Sequence, residues 1–104
     1  MIAGVPESAL DAIRAVLRKE PRVERAVVFG SRALGTHRPG SDIDLAVFGE
    51  MDDQAVAHLI GELEQLPHPW LFDVVAMNRL RDISVRAHIE RVAVEVYCRE
   101  SSAA

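Results

Sequence analysis

The sequence predicts an α/β (α+β) fold, a mixed sheet of about four strands covered by helices. Three observations lead there. Short runs rich in β-branched residues recur along the chain: "VERAVVF", "SDIDLAVF", "WLFDVVAM" and "VAVEVYC". Segments with apolar residues at helical spacing lie between them. The length of 104 residues suits one compact domain, assigned to 1–99, with residues 100–104 as a disordered tail that lacks packing residues.

Taken in order, "PESALDAIRAVLRKEP" is an amphipathic helix with Leu10, Ile13 and Leu17 on one face, joined by Val16. Pro6 fits its first turn, Ser8 with Asp11 offers a capping box, and Pro21 closes it. "VERAVVF" is a strand stopped by Gly30. "SRALG" reads as a short helical turn, "THRPG" as loop and "SDIDLAVF" as the second strand. "DDQAVAHLIGELEQLP" is a helix with Val56, Leu59, Ile60, Leu63 and Leu66 in its apolar stripe and Asp52 and Asp53 at its positive end. "WLFDVVAM" is the third strand. "SVRAHIER" is a short helix, with Val85 and Ile89 one turn apart, and "VAVEVYC" is the fourth strand.

Composition narrows the function. The net charge is −4, a poor basis for gripping a polyanion, so nucleic acid is not an expected partner. No apolar run reaches the ~20 residues of a membrane span, and the N-terminus lacks a signal peptide's basic start and unbroken apolar stretch. Cys98 is the single cysteine, read as a small apolar residue near a strand end; a reducing cytoplasm is the expected setting. No His/Cys cluster has zinc spacing.

The chemistry is concentrated in three acids and one turn. Asp42 and Asp44 are two residues apart in a strand, so both side chains project from one face, with Cα atoms roughly 6.6 Å apart, while Ile43 and Leu45 face the other way. Such a pair repels itself unless something positive joins it, and a hard divalent cation such as Mg²⁺ fits two carboxylates plus phosphate oxygens. Two solvated acids at a strand end are the plainer reading. Asp73 stands among Leu71, Phe72, Val74 and Val75, where a solvated position is not expected, so it calls for a cation, an arginine partner or a proton. If the third strand lies beside the second, three carboxylates converge, enough to hold two metal ions for phosphoryl or nucleotidyl transfer.

Gly30 ends the first strand just before "SRAL", where a helix N-terminus would offer free N–H groups to phosphate and the Ser31 hydroxyl one more donor. By itself a Gly-Ser after a strand is more often a plain turn. Gly30 and Gly35 have the glycine spacing of a P-loop, but Thr36 and His37 stand where that motif needs lysine and Ser/Thr, so the P-loop reading fails.

The combination is more specific than its parts. An apolar strand, Gly30-Ser31, ten intervening residues, Asp42-Ile43-Asp44, a helix and then Asp73 in another strand resemble the DNA polymerase β-like nucleotidyltransferase superfamily. Within it, "GSRALGTHRPGSDIDLAV" is similar to the signature of the minimal nucleotidyltransferases (MNT, or MntA-type antitoxins), with Leu34 in place of a second arginine. A second departure is Ala93 in "IERVAVEVY", where glycine is expected. The likeness runs from the first helix to "VAVEVY".

The resemblance implies that Gly30 and Ser31 hold the triphosphate of ATP, with Arg32 facing phosphate or the partner. It implies that Asp42 and Asp44 ligate Mg²⁺, two ions in all, and that Asp73 completes a metal site and helps deprotonate the acceptor. It further implies an antitoxin that transfers AMP from ATP onto a tyrosine hydroxyl of a HEPN-domain toxin partner. A chain this short, holding metal and phosphates, has little left to enclose an acceptor, which favours a partner protein; a homodimer stays open. Two rival expectations are a small-molecule nucleotidyltransferase akin to aminoglycoside-modifying enzymes and a non-catalytic antitoxin that occludes its toxin. His37 and Arg38 are read as phosphate contacts or solvated loop, Trp70 as a partly buried anchor ahead of a base-stacking role, His58 and His88 as half-buried or solvated on helices, and Arg79, Arg81 and Arg86 as a solvated face ahead of a patch for an acidic partner.

Overall fold

A computed structural model describes residues 5–30, 42–67 and 71–99. Their elements follow in the order α1 (Glu7–Arg18), β1 (Val23–Phe29), β2 (Ile43–Gly49), α2 (Asp53–Glu64), β3 (Phe72–Ala76), a 3-10 turn (Met77–Arg79), α3 (Ile83–Val92) and β4 (Val94–Cys98). The strands form one mixed sheet in the order β3-β2-β1-β4. β1 is antiparallel to both β2 and β4, whereas β2 and β3 run parallel. Parallel neighbours need a long crossover, and α2 supplies it.

Alternation along the strands sorts their side chains to two faces. Ala26, Val28, Ile43, Leu45, Val47, Ala76 and Val96 pack with Leu10, Ile13 and Leu17 of α1 and with Leu59 and Leu63 of α2 in the main core. The opposite face carries a smaller cluster, Val27, Ala46 and Met77 against Ile89 of α3, with Phe29 and Phe48 at its margins. Asp44, which alternates with Ile43 and Leu45, therefore belongs to the thinly covered face.

Each helix is bounded by local chemistry. α1 begins at Glu7 behind an extended Pro6 with no side-chain cap, so the Ser8–Asp11 capping box does not form; Asp11 lies 3.6 Å from Arg14 instead. Asp52 caps α2, accepting from the Ala55 N–H at 2.7 Å, and Asp53 pairs with Arg79 at 2.7 Å. Asp82 caps α3, accepting from the N–H groups of Ser84 (2.9 Å) and Val85 (3.2 Å).

Several expectations need correction. Val85 is 43% exposed and does not share the buried position of Ile89, because α3 lies over the small cluster through a narrow face. Arg86 is no part of a solvated patch. Its guanidinium donates to the Met77 and Leu80 carbonyls and pins the 3-10 turn to α3. Cys98 is exposed at the end of the edge strand β4 rather than packed. The helical turn expected over "SRALG", the "THRPG" loop with His37 and Arg38, Trp70 and the tail lie outside the described residues. Among the described residues no helix is long and apolar enough to cross a membrane.

Candidate functional site

β1 enters the site by its C-terminal end and β2 and β3 by their N-terminal ends, so one edge of the sheet collects the turn and the acids. Phe29 is paired with Asp44 across β1 and β2, and Asp44 with Asp73 across β2 and β3. Residues in register on neighbouring strands share a face, with backbones about 4.8 Å apart. Asp42, just before β2, lies two residues from Asp44 on the same side. The three acids thus share one face at one end of the sheet, with Gly30 directly after β1 beside them.

Asp44 is half-buried, whereas Asp42 and Asp73 are exposed. For Asp73 this corrects the expectation of an unsolvated position: β3 is one of the two edge strands, and the packing of α3 reaches Val75 but not Asp73. The Asp44 carboxyl is pushed above the usual carboxylate range, first by burial, then by the negative charges of Asp73 and Asp42. Unit charges about 6 Å apart repel by roughly 1–3 kcal/mol between water-like and surface-protein dielectric. Among the described residues no arginine, lysine or histidine pairs with any of the three to relieve this.

The turn is built around Asp44. Gly30 has φ +74°, a conformation that glycine adopts without steric cost. A Cβ placed on it would overlap Asp44 Oδ2 and stand 3.1 Å from Asp44 Cγ. The carboxylate therefore occupies the space a side chain at position 30 would take. Nothing in the sequence signals this contact, because it depends on how β1 and β2 pair.

The donor set suits a hard cation. Three carboxylates offer oxygen ligands only, one of them half-buried with its charge unrelieved, and Mg²⁺ bound by such groups keeps water or phosphate in its remaining positions. Among the described residues no three acidic, histidine or cysteine side chains are drawn tightly enough together to hold an ion as they stand. Ser31 and Arg32, the other expected phosphate contacts, lie outside the described residues.

The family model described as "Polymerase beta, Nucleotidyltransferase" matches residues 11–102. The chain belongs to that nucleotidyltransferase family. The match takes in both strands of the Asp44–Asp73 pair and the Gly30 turn, and the family's reaction class is the one the acids suggest. Solved structures share the fold. A chain of a toxin–antitoxin crystallised with AMP-PNP superposes with a TM-score of 0.73 at 22% identity, over 88% of this chain and 74% of that one. A chain of the toxin–antitoxin MntA–HepT gives 0.69 at 18% identity, over 91% and 74%. A chain of the re-refined complex of tri-AMPylated Shewanella oneidensis HEPN toxin with MNT antitoxin gives 0.68 at 18% identity, over 90% and 73%. No curated protein matches the sequence.

Proposed function

We propose that this nucleotidyltransferase is an antitoxin that transfers AMP from ATP, with Mg²⁺, onto a tyrosine hydroxyl of a cognate HEPN-domain toxin. The observation that carries the reading is the register of β2 and β3, which sets Asp73 beside Asp44 with Gly30 against it. Two fold neighbours add support: one was crystallised with AMP-PNP, and another is a complex with a tri-AMPylated HEPN toxin.

Asp42 and Asp44 would hold the cation, with Asp73 as the third ligand. An Mg²⁺ ion held there would neutralise phosphate charge and lower the pKa of the attacking hydroxyl. The N–H groups following Gly30, with the Ser31 hydroxyl and Arg32, hold the triphosphate. Asp73, exposed at the sheet edge, is open to an incoming acceptor and takes the proton from its hydroxyl. A bond forms between that oxygen and the α-phosphorus, the bond to pyrophosphate breaks, and pyrophosphate leaves with its electron pair.

The test is transfer of α-labelled AMP to the cognate toxin, read by mass spectrometry. Wild type adds the mass of one AMP residue for each transfer, and Asp44→Asn adds none. Labelling by Asp44→Asn at the wild-type rate would remove the mechanism. Toxin neutralisation that survives loss of all three carboxylates would assign an occluding antitoxin instead.

A further inference from the structure

We propose that Gly30 is a positioning residue for Asp44: by lacking a side chain it gives the Asp44 carboxylate its place in the cation site. The inference rests on the metal reading above, but it assigns the glycine a role apart from phosphate contact.

Two demands meet at position 30. The backbone demand is a φ of +74°, which asparagine also tolerates. The spatial demand is separate. A Cβ would collide with Asp44 Oδ2 and crowd Cγ at 3.1 Å, while Asp44 Cβ at 3.5 Å is an ordinary contact. The conflict is thus with the carboxylate itself, the half-buried group of the three. Asp44 lies in register between Phe29 and Asp73, within a strand, so its backbone has little freedom to withdraw. The side chain must rotate instead, which takes the oxygens away from their present position. Gly49 is the natural control. It also has positive φ (+138°), yet a Cβ there would meet the Arg22 carbonyl, at the other end of β2.

The two demands separate in a stability cycle and a metal titration. In thermal unfolding without metal, Gly30→Ala destabilises less when Asp44→Ala is also present, because the colliding oxygens are gone. Gly49→Ala costs the same with or without Asp44→Ala. In Mn²⁺ titrations followed by electron paramagnetic resonance, without nucleotide, Gly30→Ala and Gly30→Asn both lose about 10–100-fold in affinity, and Gly49→Ala keeps the wild-type value. If the cost of Gly30→Ala is unchanged by shortening Asp44, or if Gly30→Asn binds Mn²⁺ like wild type, the glycine serves backbone conformation alone and the proposal falls. A wild type that binds no Mn²⁺ removes the metal reading, and the stability cycle then decides separately whether residues 30 and 44 compete for space.

Discussion

Two sets of aspartates in this chain live under opposite conditions. Asp52 and Asp82 are exposed at helix N-termini, where backbone N–H groups point at their oxygens. The Ala55 N–H, followed by the Arg22 charge, holds the Asp52 carboxyl below its ordinary range. The Ser84 hydroxyl, with the Val85 and Ser84 N–H groups, does the same for Asp82. Asp44 is half-buried, faces two further acids and is pushed upward. The first set stabilises the fold by being charged. At Asp44 the fold works against the charged form, an arrangement that makes sense where the charge serves a ligand.

The comparison is most easily broken at Asp44. Asp44→Asn lowers nucleotidyl transfer by about a hundred- to a thousandfold, in line with losing a main electrostatic contact in a transition state. The same variant, freed of the repulsion, melts at or above the wild-type temperature in calorimetry without metal. A clear drop in melting temperature would show that the carboxylate stabilises the fold after all.

A core substitution next to it should behave in the contrary sense. Leu45, fully buried on the other face of the same strand, is a packing residue. Leu45→Ala costs about 2–5 kcal/mol in urea unfolding, and any fall in activity follows the unfolded fraction.

The helix caps give smaller effects. Asp52→Ala and Asp82→Ala each lower the melting temperature modestly and leave nucleotidyl transfer per folded molecule unchanged. Loss of activity in either would blur the division between the two sets.

The pH dependence sharpens it further, with opposite signs. The cap carboxyls have folded pKa values below their unfolded ones. Their stabilisation is complete above the unfolded value, about 3.9, and is lost as pH falls through the folded value. Asp44 has a folded pKa above its unfolded one. Its contribution is most favourable below about pH 3.9 and is lost as pH rises through the raised folded value. Urea midpoints of the metal-free protein, measured from about pH 7 down to 3, should differ least between wild type and Asp44→Asn at the acid end. A constant difference across the range would mean that Asp44 does not titrate abnormally.

Much of this was legible in the residues. Alternation in "SDIDLAVF" puts Asp42 and Asp44 on one face because the strand repeat leaves no other choice. The apolar stripe of α2 and the β-branched runs fix element types in the same local way. Other features had no local signature. Asp73 looked shielded by its sequence neighbours, but adjacent residues in a strand face opposite sides, and the small cluster under α3 covers Val75 without reaching Asp73. Arg86 looked like surface charge until the 3-10 turn brought two carbonyls to its guanidinium. Asp82 gave a cap that the apolar pattern of "SVRAHIER" did not reveal.

By itself the sequence determined the helices, the strands, and the set of acids and glycine that make nucleotidyl transfer the expected chemistry, because those follow from short-range periodicity and residue type. Only the tertiary structure decided that β2 pairs in parallel with β3 at a register joining Asp44 to Asp73, and that the Asp44 carboxylate fills the space Gly30 leaves. Register is set by which side chains the helices can bury, and that is a property of the whole sheet rather than of any one segment.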